Sequence, residues 1–278
     1  MKNTIESLHA RLLNLAREKN IEFQVLLNRL GAEQFLVRLA LSKYVKQFVF
    51  KGGSLLVYLI DSERKTKDLD FSVTKISNQV DEVIEMIKSI LQIPVDDGFK
   101  WIDVRGTPLN HPEMEVPGVR LSCHFLLGNM KGIVRMDLAY GNVIGARKTK
   151  LERIRYRNNP IFGNTVSLYA YTPEAIFAEK LCIVIKKQGQ NTRMKDYYDL
   201  YKLIDSKISS DRLKKCIEKI FKRRNLPLRV SITFSSSDLE RLQIYWEHFL
   251  KRDKPKEVPE KIIDVITKIN SCLEKLYR

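Results

Sequence analysis

The chain has 278 residues, of which 44% are hydrophobic and 29% are charged, and its 49 lysines and arginines outnumber 33 acidic residues to give a net charge of +16. This composition excludes an intrinsically disordered chain and predicts one large or two ordinary globular domains. No apolar run approaches the roughly 18 residues that cross a bilayer, and the N-terminus lacks the pattern of a signal peptide, so we predict a cytoplasmic protein without membrane insertion. The positive field would attract polyanions: nucleic acid first, with acidic protein or a membrane surface as alternatives.

The first half of the chain mixes helical and strand-like patterns. Two amphipathic helices are predicted in the first forty residues, with a break near Asn20. A buried strand over 47–50 then ends at the paired glycines Gly52-Gly53. The elements predicted after these glycines are a helix over 54–60, a strand over 68–73, a helix over 78–91 and strands over 99–104, 119–127 and 133–139. The turn signal Gly128-Asn129 predicts that the last two strands form an antiparallel hairpin.

The second half is predicted to be helical. Thr172 followed by Pro173 is typical of an N-cap and the first turn of a helix. Further helices are predicted near 195–205, 211–224, 238–250 and 260–276. The sequence therefore predicts an α+β protein with two domains: an α/β domain over residues 1–165 that begins with helices, and a helical domain over residues 166–278.

Chemistry is predicted first at the glycine turn and the strand that follows it. Gly52 and Gly53 lie between a strand and a helix, where backbone amides and the helix N-terminus favour an anion, and Ser54 adds a hydroxyl donor. Asp68 and Asp70 stand at i and i+2 of a strand, so their carboxylates project from one face and can share divalent cations. A solvated strand edge is the plainer interpretation of an Asp-x-Asp, but two like charges within a core-forming strand are costly without a compensating cation.

A third carboxylate, Asp137, lies in the predicted strand over 133–139. Its parity relative to Val134 and Met136 leaves the direction of its side chain open. If this strand neighbours the strand that carries Asp68 and Asp70, three carboxylates meet at one end of a sheet. Two metals about 4 Å apart could then clamp a triphosphate and activate a hydroxyl.

These motifs together resemble the nucleotidyltransferase superfamily and, more narrowly, the AbiEii/AbiGii-type toxin family of bacterial abortive-infection and toxin–antitoxin systems. The resemblance is carried by Gly52-Gly53-Ser54, by Arg64-x-Thr66-x-Asp68-Leu69-Asp70-Phe71 and by the later strand aspartate. It continues in the lysine-bearing stretch 175–181 and in the basic-Asp-x-x-Asp-Leu stretch 193–201. It covers roughly residues 45–205.

The resemblance implies a polymerase-β-like nucleotidyltransferase core, with a mixed or antiparallel sheet and helices, followed by a helical domain that contributes Lys180 and Asp196 to a cleft. It implies Mg²⁺ or Mn²⁺ as cofactor and a nucleoside triphosphate as substrate. The residues implied in catalysis are Asp68, Asp70, Asp137, Lys180 and Asp196, with the first three as metal ligands. The residues implied in nucleotide binding are Gly52, Gly53, Ser54, Arg64 and Lys180. For Lys180 the plainer interpretation is a solvated helix lysine, and for Asp196 a charge favourable to a helix N-terminus.

A run of basic residues follows Asp137, and a second one lies near 214–224. Either run alone is most simply a solvated face, but beside a triphosphate site they favour an RNA acceptor, such as the 3′ end of a tRNA. The predicted nucleic-acid-binding residues are Arg147, Lys148, Lys150, Arg153, Arg155 and Arg157. The family further implies a toxin countered by a cognate antitoxin. Two alternatives stay open: a transferase of the same fold that modifies a small molecule or a protein side chain, and a non-enzymatic nucleic-acid-binding protein with a degenerate site.

Overall fold

The computed structural model of the chain describes residues 5–60, 68–110, 116–141, 143–206, 208–228 and 231–278. The chain divides into two units, the first holding most of the residues up to Ala170 and the second holding Tyr171–Arg278 together with two short earlier segments. In the described parts of the chain, no helix combines the length and the apolar character that spanning a membrane requires.

The first unit is a sheet with helices packed against it. Its elements are α1 (Ile5–Glu18), α2 (Phe23–Leu41), β1 (Phe48–Lys51), α3 (Gly52–Leu59), β2 (Asp68–Val73), α4 (Val80–Leu91), β3 (Phe99–Leu109), β4 (Gly118–Leu127), β5 (Met130–Tyr140), β6 (Ala146–Glu152), β7 (Arg155–Tyr156), β8 (Asn159–Pro160) and β9 (Thr165–Tyr171). Among the described residues, seven strands form one sheet in the order β3-β4-β5-β2-β1-β9-β6, and β7 pairs with β8 in a small ribbon. The sheet is mixed: β3, β4 and β5 are antiparallel neighbours, whereas β2 runs parallel to β5 and antiparallel to β1.

One face of the sheet carries the core of this unit. The aromatic rings of Phe35, Phe48 and Phe50 all lie against Phe71 of β2, with centroid separations of 6.1, 5.4 and 5.3 Å respectively. All four side chains are fully buried, and burial of one such ring stabilises the fold by roughly 1.5–3 kcal/mol. Because Phe35 belongs to α2, this cluster fixes α2 against the strand that carries the predicted metal ligands.

The structure confirms the α+β class and the predicted helices and central strands, with small shifts of their ends. The β4–β5 hairpin turns at Gly128-Asn129, with Leu127 opposite Met130. Strands β6 to β9 were not predicted. Strands β7 and β8 have two residues each, and the sequence of β6 is a basic run without apolar alternation. Strand β9 does alternate, with Val166, Leu168 and Ala170 buried, and its pattern was overlooked.

The second unit is helical in its described residues. It contains α5 (Pro173–Lys187), a 3-10 turn (Gln188–Gln190), α6 (Met194–Ile204), α7 (Ser210–Arg223), α8 (Ser236–Asp253) and α9 (Ile262–Tyr277). The predicted cap of α5 is confirmed: Thr172 Oγ1 accepts a hydrogen bond from the Ala175 amide at 3.3 Å. This cap satisfies one of the free amides of the helix N-terminus and sets where α5 begins.

Candidate active site

A row of four charged residues crosses the sheet from β4 to β1. In register, Arg120 of β4 stands opposite Asp137 of β5, Asp137 beside Asp70 of β2, and Asp70 opposite Lys51 of β1. Neighbouring strands lie about 4.8 Å apart, so the two carboxylates are adjacent although they are distant in sequence. The sheet therefore brings Asp70 and Asp137 together, as the hypothesis of a shared site requires.

The aspartates lie on the open face of the sheet, opposite the aromatic core. In β5, Val134 and Met136 are buried, whereas Asp137 between Met136 and Leu138 is partly exposed. In β2, Leu69 is buried and Asp68 and Asp70 on either side of it are half-exposed. Asp137 alternates with the buried residues Met136 and Leu138, so its side chain points to the face opposite theirs. This is the face that also carries Asp68 and Asp70, which the sequence alone left open.

Gly52 is required by the close approach of this turn to Asp70. Its φ is +74°, in the left-handed region that side chains disfavour. A Cβ built on Gly52 would lie 2.7 Å from Asp70 Cγ, so any side chain would displace the carboxylate. Gly53 is already part of α3 and is buried. Position 52 therefore requires glycine because any side chain there would collide with Asp70, a proposed metal ligand.

Ser54 connects the glycine turn to β2. Its side chain is buried and its hydroxyl donates a hydrogen bond to the main-chain carbonyl of Asp68. A serine hydroxyl has a single proton to donate. In this arrangement that proton fixes the start of β2, so Ser54 positions Asp68 through the backbone.

Arg120 is a component of the site that the sequence analysis missed. It donates two hydrogen bonds to Asp137, from Nε to Oδ1 at 2.8 Å and from Nη2 to Oδ2 at 2.6 Å. These bonds and the charge of Asp137, with smaller contributions from Asp68 and Asp70, raise the pKa of the Arg120 guanidinium. The signal was present in the sequence: a two-residue turn at Gly128-Asn129 sets Arg120 opposite Asp137 once the hairpin is assumed.

The carboxylates of β2 fit a hard divalent cation. Asp68 Oδ1 is buried and has no hydrogen-bond partner among the described residues, a costly state that an oxygen-liganded Mg²⁺ or Mn²⁺ would relieve. Across those same residues, no group of three or more His, Cys, Asp or Glu side chains is arranged as a metal cluster. The donor set of Asp68 and Asp70 therefore suits such an ion, while both oxygens of Asp137 accept from Arg120.

The second unit holds its own buried charge cluster. Lys180 of α5 donates a hydrogen bond to Asp196 Oδ1 at 2.8 Å and lies 2.6 Å from Asp199 Oδ2. The side chain of Lys180 is only 9% exposed, and those of the two aspartates are each 1% exposed. Lys180 is thus not a solvated helix lysine, and Asp199, which was not singled out as a site residue, completes the cluster. Arg193 adds an ion pair to Asp196 at 3.2 Å.

Five of the six predicted nucleic-acid-binding residues are exposed, on two neighbouring segments of the chain. Arg147, Lys148 and Lys150 are exposed on β6, and Arg155 and Arg157 are exposed in the β7–β8 ribbon. Arg155 forms an ion pair with Glu152 at 2.9 Å, and Arg157 lies over the Tyr156 ring. Arg64 lies outside the described residues.

Arg153 must be removed from the nucleic-acid-binding set. It is buried, and its Nε lies 3.7 Å from Glu33 Oε2, which is itself buried on α2. Burial lowers the pKa of Arg153 and raises that of Glu33 to about 7. The guanidinium is held inside the first unit by this carboxylate, so it is not available to a phosphate.

A mixed sheet that carries paired aspartates beside a glycine-rich strand–helix turn fits the nucleotidyltransferase class that the sequence motifs resemble. The sequence model of the nucleotidyl transferase AbiEii toxin of type IV toxin–antitoxin systems matches residues 34–268. This match spans most of the chain, which therefore belongs to the AbiEii family: it is a nucleotidyltransferase toxin of a type IV toxin–antitoxin system. The alternative of a non-enzymatic binding protein is set aside by this assignment.

Solved structures share the fold. The nucleotidyltransferase toxin MenT4 (Rv2826c) of Mycobacterium tuberculosis H37Rv has a TM-score of 0.56 at 15% identity, over 99% of this chain and 89% of its own. The protein JHP933 of Helicobacter pylori has a TM-score of 0.51 at 14% identity, over 90% of this chain and 91% of its own. At these identities the likeness concerns the fold alone. No curated protein sequence matches the chain.

Proposed function

We propose that this toxin transfers a nucleoside monophosphate from a nucleoside triphosphate to a hydroxyl at the end of an RNA, such as the 3′ end of a tRNA, with Mg²⁺ or Mn²⁺ as cofactor. The observation that carries the proposal is the register of β2 with β5, which sets Asp70 beside Asp137 on the open face of the sheet with Asp68 two residues away. Carboxylates in this arrangement suit a divalent cation and the phosphates that it carries.

The reaction requires the acceptor oxygen to bond to the α-phosphorus while the bond from that phosphorus to the leaving pyrophosphate breaks. A bound divalent ion would neutralise the triphosphate and polarise the phosphoryl group. Asp68 and Asp70 would hold that ion, and Gly52 leaves room for the Asp70 carboxylate. The proton of the acceptor hydroxyl would pass to a carboxylate of the site or to solvent.

The first experiment measures transfer from each labelled triphosphate to total RNA, with and without Mg²⁺. We expect Asp70→Asn to abolish transfer and metal-dependent nucleotide binding without unfolding the protein, because it removes one charge from an acidic group. Asp103→Asn is the matched control: Asp103 lies on β3, at the edge of the sheet, and pairs with Arg105. Unchanged metal-dependent nucleotide binding in Asp70→Asn would refute the assignment.

The second experiment tests the acceptor. The exposed basic residues of β6 favour RNA as the acceptor. A variant with Arg147, Lys148 and Lys150 all changed to Glu should therefore modify RNA more slowly and bind triphosphate as the parent does. The control for long-range electrostatics is a variant with the same change of net charge at three other exposed lysines, Lys43, Lys46 and Lys131. If the β6 variant modifies RNA at the parent rate, β6 does not contact the RNA. A parent that modifies no RNA would point instead to a small molecule or a protein side chain as the acceptor.

The family also implies a partner. A toxin of a type IV system is accompanied by a cognate antitoxin, and we propose that one counteracts this enzyme in the cell. Co-expression of the chain with the product of a neighbouring gene should restore growth where the toxin alone arrests it. The Asp70→Asn variant, which should not arrest growth, is the control for that experiment.

A further inference from the structure

We propose that Arg120 takes the place of one of the two metal ions expected at the site. The enzyme then binds one divalent cation, through Asp68 and Asp70, while the Arg120 guanidinium binds the carboxylate of Asp137. This inference rests on the proposed function, because it concerns the same carboxylates. It departs from the sequence-based expectation that two metals are shared among three aspartates.

The geometry of the pair carries the first step. Both oxygens of Asp137 accept from Arg120, at 2.8 and 2.6 Å, in the fork that matches guanidinium to carboxylate. A second metal bound by Asp137 would have to share these oxygens or displace the arginine. Asp68, in contrast, keeps a buried oxygen without a hydrogen-bond partner. The oxygen that lacks a hydrogen-bond partner therefore belongs to Asp68 on β2 and not to Asp137.

The balance of charge carries the second step. Asp68, Asp70 and Asp137 bring three negative charges to one face of the sheet. One divalent ion and one guanidinium neutralise them, and the guanidinium remains charged at any physiological pH. In register, Lys51 stands at the other end of the row, opposite Asp70. A second divalent ion would therefore enter a group of carboxylates whose charge is already compensated.

The exposure of the pair argues against a purely structural role. The Arg120 side chain is 52% exposed and that of Asp137 is 19% exposed. An ion pair as exposed as this contributes little to folding. The ion pair instead determines which cation binds the oxygens of Asp137. Arg120 is therefore a positioning residue.

The test counts Mn²⁺ ions bound to the nucleotide-free protein, by titration calorimetry and by electron paramagnetic resonance of the free ion. We expect the parent to bind one Mn²⁺ and Arg120→Gln to bind two. Arg120→Lys, which keeps the charge, should bind one. Adding Asp137→Asn to Arg120→Gln should return the count to one, because the second ion would lose its ligand.

Arg105→Gln is the matched control, because Arg105 makes the corresponding exposed pair with Asp103 at 2.6 Å on β3. It should leave the Mn²⁺ count at one. Two ions in the parent, or one ion in Arg120→Gln, would overturn the role of Arg120 while leaving the proposed function intact. A parent that binds no Mn²⁺ would contradict the metal dependence itself and the inference with it.

Discussion

At Gly52 a single missing methyl group decides whether the Asp70 carboxylate can occupy its place. The backbone there adopts a left-handed φ and passes directly over the carboxylate. Two separate costs thus oppose a side chain: the strain of the backbone conformation and the collision with Asp70. The two costs can be distinguished because Gly98 has nearly the same φ, +73° against +74°, while a Cβ there would meet only Leu127 Cδ1 at an ordinary 3.5 Å.

We expect Gly52→Ala and Gly98→Ala to lose similar stability from backbone strain, about 1–2 kcal/mol each. Only Gly52→Ala should also lose metal-dependent nucleotide binding, because only there does the new methyl group displace a proposed ligand. Denaturant unfolding and calorimetry with a triphosphate measure the two effects. Retention of nucleotide binding in Gly52→Ala would show that the Asp70 carboxylate can move without consequence.

Lys180 illustrates a different principle, because its charge is compensated inside the protein. Removing it in Lys180→Ala leaves Asp196 and Asp199 buried without the ammonium that both contact, which should destabilise the fold by about 3–5 kcal/mol. Lys215→Ala, at an exposed position of α7, should change the free energy of unfolding by much less. Urea unfolding of both variants without substrate checks this, and equal midpoints would contradict a structural role for the Lys180 cluster.

At the scale of elements, Glu33 joins α2 to the turn between β6 and β7. Its two carboxylate oxygens accept from the Ile154 amide at 3.0 and 3.1 Å, and Arg153 lies beside it. Burial raises the pKa of Glu33 to about 7 from an ordinary value of 4.5. The folded protein thus holds a proton on Glu33 at pH values where the unfolded chain has released it, and the stability that this provides is lost as the pH rises through 7.

We expect Glu33→Gln to remove this dependence while keeping an acceptor for Ile154. The free energy of unfolding of the parent should fall relative to that of the variant between about pH 5 and pH 7, by on the order of 3 kcal/mol, and the difference should level off above pH 7. Urea unfolding across this range measures it. A difference that does not vary with pH would mean that Glu33 is ionised throughout.

The elements that could be predicted from the sequence are those whose pattern lies in their own residues. Helices and the strands β2, β4 and β5 have apolar periodicities of their own, and the β4–β5 turn even fixed which residues face each other. Strand β6 is a basic run, and β7 and β8 have two residues each and pair only with each other, so none of the three has an apolar pattern of its own. Strand β9 has one, in Val166, Leu168 and Ala170, but its place in the sheet depends on the distant strand β1. The burial of Arg153 was equally hidden, because its partner Glu33 precedes it by more than a hundred residues. The reason for Gly52 is likewise visible only where the turn meets Asp70.

At the scale of the whole molecule, the net charge of +16 should make association with RNA sensitive to salt. Each phosphate contact contributes a slope of about −0.7 to −0.9 to the logarithm of the affinity against the logarithm of the salt concentration. Changing Arg147, Lys148 and Lys150 to Ala should therefore flatten the slope by roughly 2 to 3. Binding of a labelled tRNA at several salt concentrations provides the measurement, and parallel lines for parent and variant would exclude β6 from the RNA contact.

The pairing of β2 with β5 also orders events during synthesis. Asp70 leaves the ribosome long before Asp137, and β1 long before its parallel neighbour β9, which it meets at Phe50 and Ala170. Since domains generally fold as units, beginning with the N-terminal one, the carboxylates cannot assemble until the β4–β5 hairpin has been made and has docked on β2. A nascent chain that has not yet exposed Asp137 should therefore lack the proposed site, and a message truncated before Asp137 should encode a fragment without it.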